Sequence, residues 1–271
     1  MEKLRSGEFF GITDQKLETG GLILTNTAYT HEFVDWHHHE NVYFTFILKG
    51  KVIEGNKKGK VNLAAGSLLF HNAQESHYNI KPKGDTRGMH LELQNSWINE
   101  MYPNQDVKEG SFEVSCPRTK ILFYKLLRES TIEDDLTALG IQNLVTAATD
   151  SLFAGTKESK FRPSWVDQIG ELLQDNYLDP PKLKEMAAVL GIHPVHLSRS
   201  FTKYFGCTMA EYIRLLKVER AFTQLSTKGN SLSTIAHQCG FADQSHMIRC
   251  FKAISGDTPL FFKKLINSTR C

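Results

Sequence analysis

Four histidines in the first half of the sequence are placed so that several can meet at one point. His37, His38 and His39 are consecutive, and His77 follows in the segment NAQESHYN. Alternate side chains of a β-strand point to the same side, so we expect His37 and His39 to face together and His38 to face away. Imidazole nitrogens bind transition metals and exchange hydrogen bonds with organic ligands. The cluster therefore indicates a metal site or a polar ligand pocket, which strands must assemble around His77.

A second set of candidate residues lies in the other half, where one short phrase occurs twice. LSRSFTKYFGCT begins at Leu197, and MIRCFKAISGDT begins at Met247. Ahead of each copy lies an apolar stripe with helical spacing, closed by Gly191 in the first copy and Gly240 in the second. The stripes are 49 residues apart and the phrases 50, so the second turn has one residue inserted. This pattern predicts two helix-turn-helix units.

The second helix of each unit carries side chains that suit the edges of base pairs. A helix-turn-helix places this helix in the major groove, where arginine pairs with guanine, glutamine with adenine, and apolar groups meet the thymine methyl. Lysines one turn later suit phosphates. We expect Leu197, Phe201, Met247 and Phe251 to face the core. The residues predicted to face outward and contact DNA are Val195, His196, Ser198, Arg199, Lys203, Gln244, Ser245, Ile248, Arg249 and Lys252.

The segment between the two copies predicts one long connecting helix. Thr208 and Glu211 form a T-x-x-E capping box at its start. Val218, Ala221 and Leu225 then supply an apolar stripe that faces inward.

Charge separates the two halves of the 271-residue chain, although the net charge is only +2. From Lys160 onward there are 15 Lys and Arg against 9 Asp and Glu, a balance of +6. Residues 1–159 hold 17 against 21, a balance of −4. The second half is thus the part expected to meet a polyanion.

The composition argues against membrane and disulfide-rich proteins. The chain is 41% hydrophobic and 23% charged, as globular proteins are. It lacks an apolar run of about eighteen residues and a signal-peptide stretch at its start. Its five cysteines form no C-x2-C pair, which fits a reducing compartment. We therefore expect a cytoplasmic protein with no membrane partner.

The first half predicts short strands and then two helices. VYFTFILKG is rich in aromatic and β-branched residues, and HLELQ alternates. Around Thr119 the spacing becomes helical, and an apolar stripe of Leu136, Leu139, Leu144 and Ala148 needs a partner. That partner is either a second copy of the chain or the strand domain itself. The polar segment 154–164 is the best linker candidate.

The repeated half resembles the DNA-binding domain of the AraC/XylS family of bacterial transcription regulators. The resemblance covers about residues 165–266 and rests on LKEMAAVLGIHPVHLSRSFTKYFG, AEYIRLLKVERAFTQL and STIAHQCGFADQSHMIRCFKAISGDTPLFFKK. It implies a seven-helix module that activates or represses promoters, with double-stranded promoter DNA as its partner and RNA polymerase as a second partner of an activator. The departures from the family pattern leave the fold intact; they are Lys217, Met247, Phe262 and Lys263.

The histidine spacing is similar to that of the cupin β-barrel, over roughly residues 25–95. In metal-binding cupins two histidines, a carboxylate and a distant histidine hold one ion. Here Val42 and Tyr43 stand where the carboxylate is expected, and Glu40 should face the other way. We predict a ligand pocket with no metal, no cofactor and no catalytic residue, formed by His37, His39, Tyr43 and His77, with Phe46 and Phe70 as candidate apolar lining. The alternatives are a metal site that lacks the carboxylate and a purely structural or partner-facing role for the histidines.

Together these features predict an α+β multidomain protein. Its parts are a cupin-like β-barrel sensory domain (1–118), a helical segment that can form a homodimer (119–153), a linker (154–164) and an all-α DNA-binding domain with two helix-turn-helix units (165–271). The predicted function is a sequence-specific DNA-binding transcription regulator controlled by a small-molecule effector. One alternative is a metal-dependent cupin enzyme with an accessory helical domain, and another is a regulator without a small ligand.

Overall fold

The computed structural model describes most of the chain and divides it into two compact units. One unit comprises residues 1–155 with 260–271, and the other comprises residues 156–259. The described residues are 2–82, 86–103, 110–153, 163–227 and 229–267. The predicted domain boundaries stay predictions, and most of the predicted linker, residues 154–162, lies outside the described residues.

Two β-sheets form the framework of the first unit. One sheet has the strand order β1-β4-β9-β6-β7, and the other has the order β11-β8-β5-β10-β3-β2. The strands are β1 (Glu2–Leu4), β2 (Ile12–Thr19), β3 (Leu22–Ala28), β4 (Phe33–His39), β5 (Val42–Lys49), β6 (Lys51–Asn56), β7 (Gly59–Ala64), β8 (Leu68–His71), β9 (His77–Ile80), β10 (Arg87–Leu93) and β11 (Phe112–Glu113). Side chains from both sheets line one interior cavity, and we call the two facing sheets the barrel.

Helices cover the outer face of the second sheet. They are α1 (Asn95–Met101), α2 (Pro117–Glu129) and α3 (Thr137–Phe153), of which α1 has no counterpart in the sequence prediction. Phe123 of α2 lies over β5, with ring-centroid distances of 5.3 Å to Phe44 and 5.6 Å to Phe46. Both faces of β5 are therefore covered, and its residues from Val42 to Leu48 are all buried.

The strand alternation of β5 corrects the predicted pocket lining. Tyr43 faces the interior cavity, so Phe44 and Phe46 face the opposite side, where α2 covers them. Phe70 lies on that helical side too, 5.2 Å from Phe44 and 5.8 Å from Phe153 between ring centroids. The prediction that Phe46 and Phe70 line the pocket is wrong, because residues of opposite parity on one strand cannot share a face.

The apolar stripe of α3 also differs from the predicted one. Leu136 precedes the helix and is 68% exposed, and Leu139 is 55% exposed. The buried stripe contains Ile141 and Val145 together with Ala148, which belongs to the predicted stripe as well, and each of the three is fully buried. This stripe has the i, i+4, i+7 spacing of a single helix face. The first unit itself therefore covers the buried face of α3, and a second copy of the chain is not needed to bury it.

The described residues of the second unit form six helices, and α10 (Pro259–Asn267) follows them. They are α4 (Ser164–Asp175), α5 (Leu183–Val189), α6 (Pro194–Phe205), α7 (Met209–Leu225), α8 (Leu232–Gln238) and α9 (Gln244–Ser255). In the part of the chain that the structure describes, no helix has both the length and the apolar character to cross a bilayer.

The two helix-turn-helix units are α5–α6 and α8–α9, as the repeated sequence predicts. Residues 190–193 connect the first pair and residues 239–243 the second, so the predicted extra residue lies in the second turn. Each turn contains a left-handed glycine, Gly191 with φ +65° and Gly240 with φ +71°. Both glycines donate to the helix just ended, which closes its last turn in the same way twice.

The helix α7 packs into the hydrophobic cores of both helix-turn-helix units. Tyr212 and Leu216 pack with α4, α5 and α6 in the first core. Val218, Ala221 and Leu225 are fully buried, as predicted, and Phe222 contacts Phe251 of α9 with ring centroids 4.2 Å apart. The predicted capping box begins the helix, since Thr208 and Glu211 each accept a hydrogen bond from the other's backbone N–H.

Replacing Phe123 by alanine should destabilise the first unit. The ring is fully buried between α2 and β5, and removing such a ring leaves a cavity that costs about 3–5 kcal/mol of the unfolding free energy. Chemical denaturation followed by circular dichroism measures the change. Leu139→Ala is the matched control, since an exposed side chain should change stability by less than about 0.5 kcal/mol. A loss no larger than that of the control contradicts the described packing.

Candidate DNA-reading surface and barrel interior

The second helix of each helix-turn-helix unit begins at a defined cap. Asp243 precedes α9 and accepts a hydrogen bond from the backbone N–H of His246 at 2.7 Å. His193 precedes α6, whose first residue is Pro194, a residue suited to the first helical turn. These caps fix where each helix starts, and thereby which side chains of its first turn point outward.

Each of the two helices has one buried face and one exposed face, divided as the sequence predicts. Leu197, Phe201, Met247 and Phe251 are all at most 1% exposed. Of the ten residues predicted to contact DNA, Ile248 is half-buried and the other nine are exposed; these are Val195, His196, Ser198, Arg199, Lys203, Gln244, Ser245, Arg249 and Lys252. The structure thus places all ten on the outward side of α6 and α9, and their contact with DNA stays a prediction.

Both arginines on this surface are available to a ligand. Within the described ranges, neither Arg199 nor Arg249 takes part in an intramolecular ion pair. A guanidinium has five N–H donors in a planar fork that matches the acceptor edge of guanine or the oxygens of a phosphate. The first helix therefore presents Arg199 with Lys203 four residues later, and the second presents Arg249 with Lys252 three residues later; the two arginines occupy equivalent positions of the repeat.

The four residues of the predicted ligand pocket do meet at one place. His37 and His39 of β4, Tyr43 of β5 and His77 of β9 line a single interior cavity of the barrel. The cavity measures about 30 Å³, room for about two water molecules and far less than a drug-sized ligand requires. Its remaining lining residues are Phe9, Phe10, Tyr29, Thr45, Val52, Glu54, Asn79, Lys81 and His90.

Two phenylalanines near the start of the chain explain why the cavity is small. Phe9 stacks on His90, with ring centroids 3.7 Å apart and planes inclined by 5°, and it also stacks on His39 at 4.9 Å. Phe10 meets the edge of His37 at 5.1 Å. The segment between β1 and β2 therefore inserts two aromatic rings among the histidines of the barrel.

A buried carboxylate holds this segment in place. Glu92 of β10 is 1% exposed and accepts hydrogen bonds from the Ser6 hydroxyl at 2.8 Å and from the Gly7 backbone N–H at 2.7 Å. The side-chain amide of Asn41 donates a third bond at 2.6 Å. Hydrogen bonds to a charged acceptor are the stronger kind, so Glu92 anchors the segment that carries Phe9.

Backbone carbonyls fix the orientation of two of the histidine rings. His37 Nδ1 lies 2.7 Å from the carbonyl of Asp35, and His77 Nδ1 lies 3.1 Å from the carbonyl of Glu75. A carbonyl only accepts, so each Nδ1 carries the proton and each Nε2 of the neutral ring is an acceptor. At His77 this Nε2 accepts a hydrogen bond from the Tyr43 hydroxyl at 3.0 Å. Burial lowers the pKa of His77 to about 3, so this imidazole is neutral at pH 7.

An acid and a base share the cavity with the histidines. Burial raises the pKa of the Glu54 carboxyl to about 8, against the opposing effect of the hydrogen bond from Asn79. Burial lowers the pKa of the Lys81 amine to about 8, and the amine lies 4.5 Å from the centroid of the Tyr29 ring. Both pKa values therefore lie close to neutral pH, as those of ionisable groups at ligand sites often do.

Sequence reasoning missed several of these interior residues. Phe9 and Phe10 stand outside the stretch that is similar to cupins, and no periodic pattern points to them. Alternation along KVIEGN could have indicated Glu54, because it puts Glu54 on the same face as Val52, and both side chains line the cavity. The alternation of HLELQ does predict that His90 and Glu92 share a face. His90 lines the cavity, and Glu92 anchors the segment that carries Phe9.

Replacing Glu92 by glutamine should loosen the segment that carries Phe9. The amide loses the charge and one of the two acceptor oxygens, so the bond from the Gly7 N–H is lost or weakened by roughly 1.5–3 kcal/mol. Hydrogen–deuterium exchange of residues 5–11 should then be about tenfold faster or more. Glu18→Gln, on exposed strand β2, is the control and should leave this exchange unchanged. Equal protection of the segment in all three proteins contradicts the anchoring role of Glu92.

Comparison with known proteins identifies the helical half. Residues 186–264 match the family described as "Helix-turn-helix domain". The Probable transcription factor PqrA of Proteus vulgaris is 34% identical over 83 residues, which are 31% of this chain and 68% of PqrA. The Uncharacterized HTH-type transcriptional regulator YbfI of Bacillus subtilis (strain 168) is 27% identical over 78% of this chain and 80% of its own length.

A third relative has an additional activity in its name. The Bifunctional transcriptional activator/DNA repair enzyme AdaA of Bacillus subtilis (strain 168) is 31% identical over 110 residues, or 41% of this chain. The chain spans about half of AdaA, 52% of its length. The family match over residues 186–264 spans α6, α7, α8 and α9, and the structure displays the two helix-turn-helix copies with their closing glycines and outward arginines. The chain belongs to the AraC/XylS family of helix-turn-helix transcription regulators.

Proposed function

We propose that this protein is a cytoplasmic, sequence-specific transcription regulator that reads promoter DNA through α6 and α9. The observation that carries the proposal is the duplication: two helix-turn-helix units each present, on the exposed face of the second helix, a lysine and an arginine that forms no ion pair with the described residues. Arginine reads guanine in the major groove, and the lysines suit phosphates. The basic balance of this half of the chain favours the same partner.

The connecting helix makes a single chain sufficient for two adjacent contacts. The helix α7 has 17 residues and is therefore about 25 Å long, and it packs into the core of each helix-turn-helix unit. Successive major-groove faces of B-DNA lie roughly 34 Å apart. A rigid connector of this size suits two recognition helices that enter one face of the duplex one helical turn apart.

Control by a small-molecule effector is the second part of the proposal. The space that Phe9 and Phe10 fill is the interior in which His37, His39, Tyr43 and His77 meet, so an effector that enters there displaces the aromatic segment. Such a ligand regulates only if it binds one arrangement of the protein better than the other. We include a homodimer in the proposal, with the exposed Leu136 and Leu139 as the apolar positions of α3, and RNA polymerase as the partner of an activator.

A regulator uses both halves of the chain, whereas the alternative of a metal-dependent enzyme leaves the two helix-turn-helix units without a role. The interior cavity of about 30 Å³ also has no room for an organic substrate beside an ion until the aromatic segment moves. The repair activity in the name of AdaA belongs to that protein, of which the chain matches half. The proposal therefore assigns no catalytic residue to this chain.

Replacing Arg199 or Arg249 by alanine tests the reading surface. Each loss of a bidentate guanine contact should weaken binding to a specific site by about 1–3 kcal/mol, or roughly 5- to 150-fold, and relax the preference for one base. The specific sites come from selection of random duplex DNA with the wild-type protein at physiological salt. Fluorescence anisotropy with the selected duplex then measures the affinity.

Arg214→Ala is the matched control for this experiment. Arg214 is exposed on α7 and its removal changes the net charge by the same amount, so nonspecific attraction to phosphates falls equally. The control should lose only a small, sequence-independent part of the affinity. If both recognition-helix variants bind as tightly and as selectively as Arg214→Ala, then the outward faces of α6 and α9 are not the reading surface.

A further inference from the structure

Three strands of the barrel bring metal-ligating side chains together at a place that the sequence pattern does not mark. Glu54 comes from β6, His71 from β8 and His77 from β9, and one potential ligand atom of each lies within 4.8 Å of the others. All three side chains are at least nine-tenths buried. Zinc bonds of about 2.1 Å in a tetrahedral site put ligand atoms about 3.4 Å apart, so side-chain movements of the order of 1 Å suffice.

His71 is the strongest sign that a ligand belongs here. The residue is 1% exposed, and neither of its ring nitrogens has a hydrogen-bond partner among the described residues. Nδ1 lies 3.4 Å from Glu54 Oε1, but without the geometry of a hydrogen bond. Burying an imidazole with both nitrogens unsatisfied is costly, and bound cations or waters normally relieve such a cost.

Neighbouring groups hold the three side chains in position. The Tyr43 ring lies parallel to the His71 ring, with centroids 4.1 Å apart and planes inclined by 2°. The carbonyl of Glu75 orients His77, and the Asn79 amide donates to Glu54 Oε2 at 3.3 Å, which leaves Oε1 on the side of His71. Side chains that are fixed in this way lose little conformational freedom when they bind an ion.

A second triad, His37 with His39 and His77, has the same spacing but a less suitable charge. It offers three imidazoles and no carboxylate. The Glu54 carboxylate offsets the charge of a dication, and zinc accepts such a mixed set of nitrogen and oxygen ligands. Because His77 belongs to both triads, one ion occupies the position and the carboxylate favours the triad with Glu54.

We propose that the barrel binds one transition-metal dication, with Zn²⁺ as the reference ion, through Glu54, His71 and His77. The carboxylate that is missing at Val42 and Tyr43 is thus supplied by a different strand. Glu54 also lines an outer cleft of about 250 Å³, which gives the ion a route from solvent. The proposal departs from the sequence prediction of no metal, and it stands apart from the proposed DNA binding.

The test is a titration of the full chain with Co²⁺, followed by displacement with Zn²⁺. The protein is freed of metal with a chelator and its thiols are alkylated, so that the five cysteines do not compete. The visible absorption of Co²⁺ in a low-coordinate protein site reports binding and stoichiometry. We expect the wild type to bind one equivalent of Co²⁺. In Glu54→Gln and in His71→Gln the affinity for Co²⁺ should fall by about tenfold or more.

Two further variants decide where the ion is held. His38→Gln, on the opposite side of β4 from His37 and His39, should bind like the wild type, and circular dichroism checks that each variant is folded. Glu54→Gln keeps the shape and the bond from Asn79, so it decides the result if His71→Gln does not fold. A wild type that takes up no Co²⁺ overturns the proposal. So does wild-type affinity in Glu54→Gln together with lost binding in His39→Gln, which would place the ion at the three histidines.

Discussion

The packing of α7 into two hydrophobic cores is the constraint on which the second unit depends. One end of this helix contributes Tyr212 and Leu216 to the first helix-turn-helix, and the other contributes Phe222 and its buried neighbours to the second. The two recognition helices therefore cannot move independently without loss of buried apolar surface, which is the main stabilising term of a small helical unit. Their outward residues consequently act as one surface with a fixed spacing, rather than as two separate binding sites.

A different constraint governs the barrel, which buries many polar groups in one place. Burial lowers the pKa values of His37, His39, His71, His77 and His90 and brings those of Glu54 and Lys81 toward neutrality. It also leaves His71 without a hydrogen-bond partner among the described residues. The aromatic rings of Phe9 and Phe10 occupy much of the remaining interior. Such an interior is sensitive to whatever enters it, because an ion or an organic ligand changes both the charge balance and the position of the aromatic segment.

The parts of this structure that follow from local periodicity were predictable, and those that follow from long-range register were not. The repeat predicts both helix-turn-helix units, the extra turn residue, the closing glycines and the outward faces of α6 and α9. Strand alternation predicts that His37 and His39 share a side. Alternation places Tyr43 and Phe46 on opposite faces of β5, whereas only the register of β5 with β8 shows that Phe70 lies on the helical side with Phe44. The pairing of β6 with β9 brings Glu54 to His77, and it joins strands that are distant in sequence.

The same distinction explains the error in α3. Leucines at Leu136 and Leu139 fit a helical stripe, but only the position of the helix start and its packing partner select Ile141, Val145 and Ala148 as the buried face. Periodicity shows that a helix has an apolar side and leaves a choice between overlapping stripes. Side chains that enter from outside a regular element, such as Phe9, have no periodic signal at all.

The most direct test of the central claim is to change the spacing of the selected DNA site. We expect two short blocks about one helical turn apart that one chain binds together. An insertion of about five base pairs between the blocks rotates one of them to the opposite side of the duplex, so affinity should fall to that of a single block. Unchanged affinity for the lengthened site, with each block bound by its own chain, would contradict the account of α6 and α9 as one rigid reading surface.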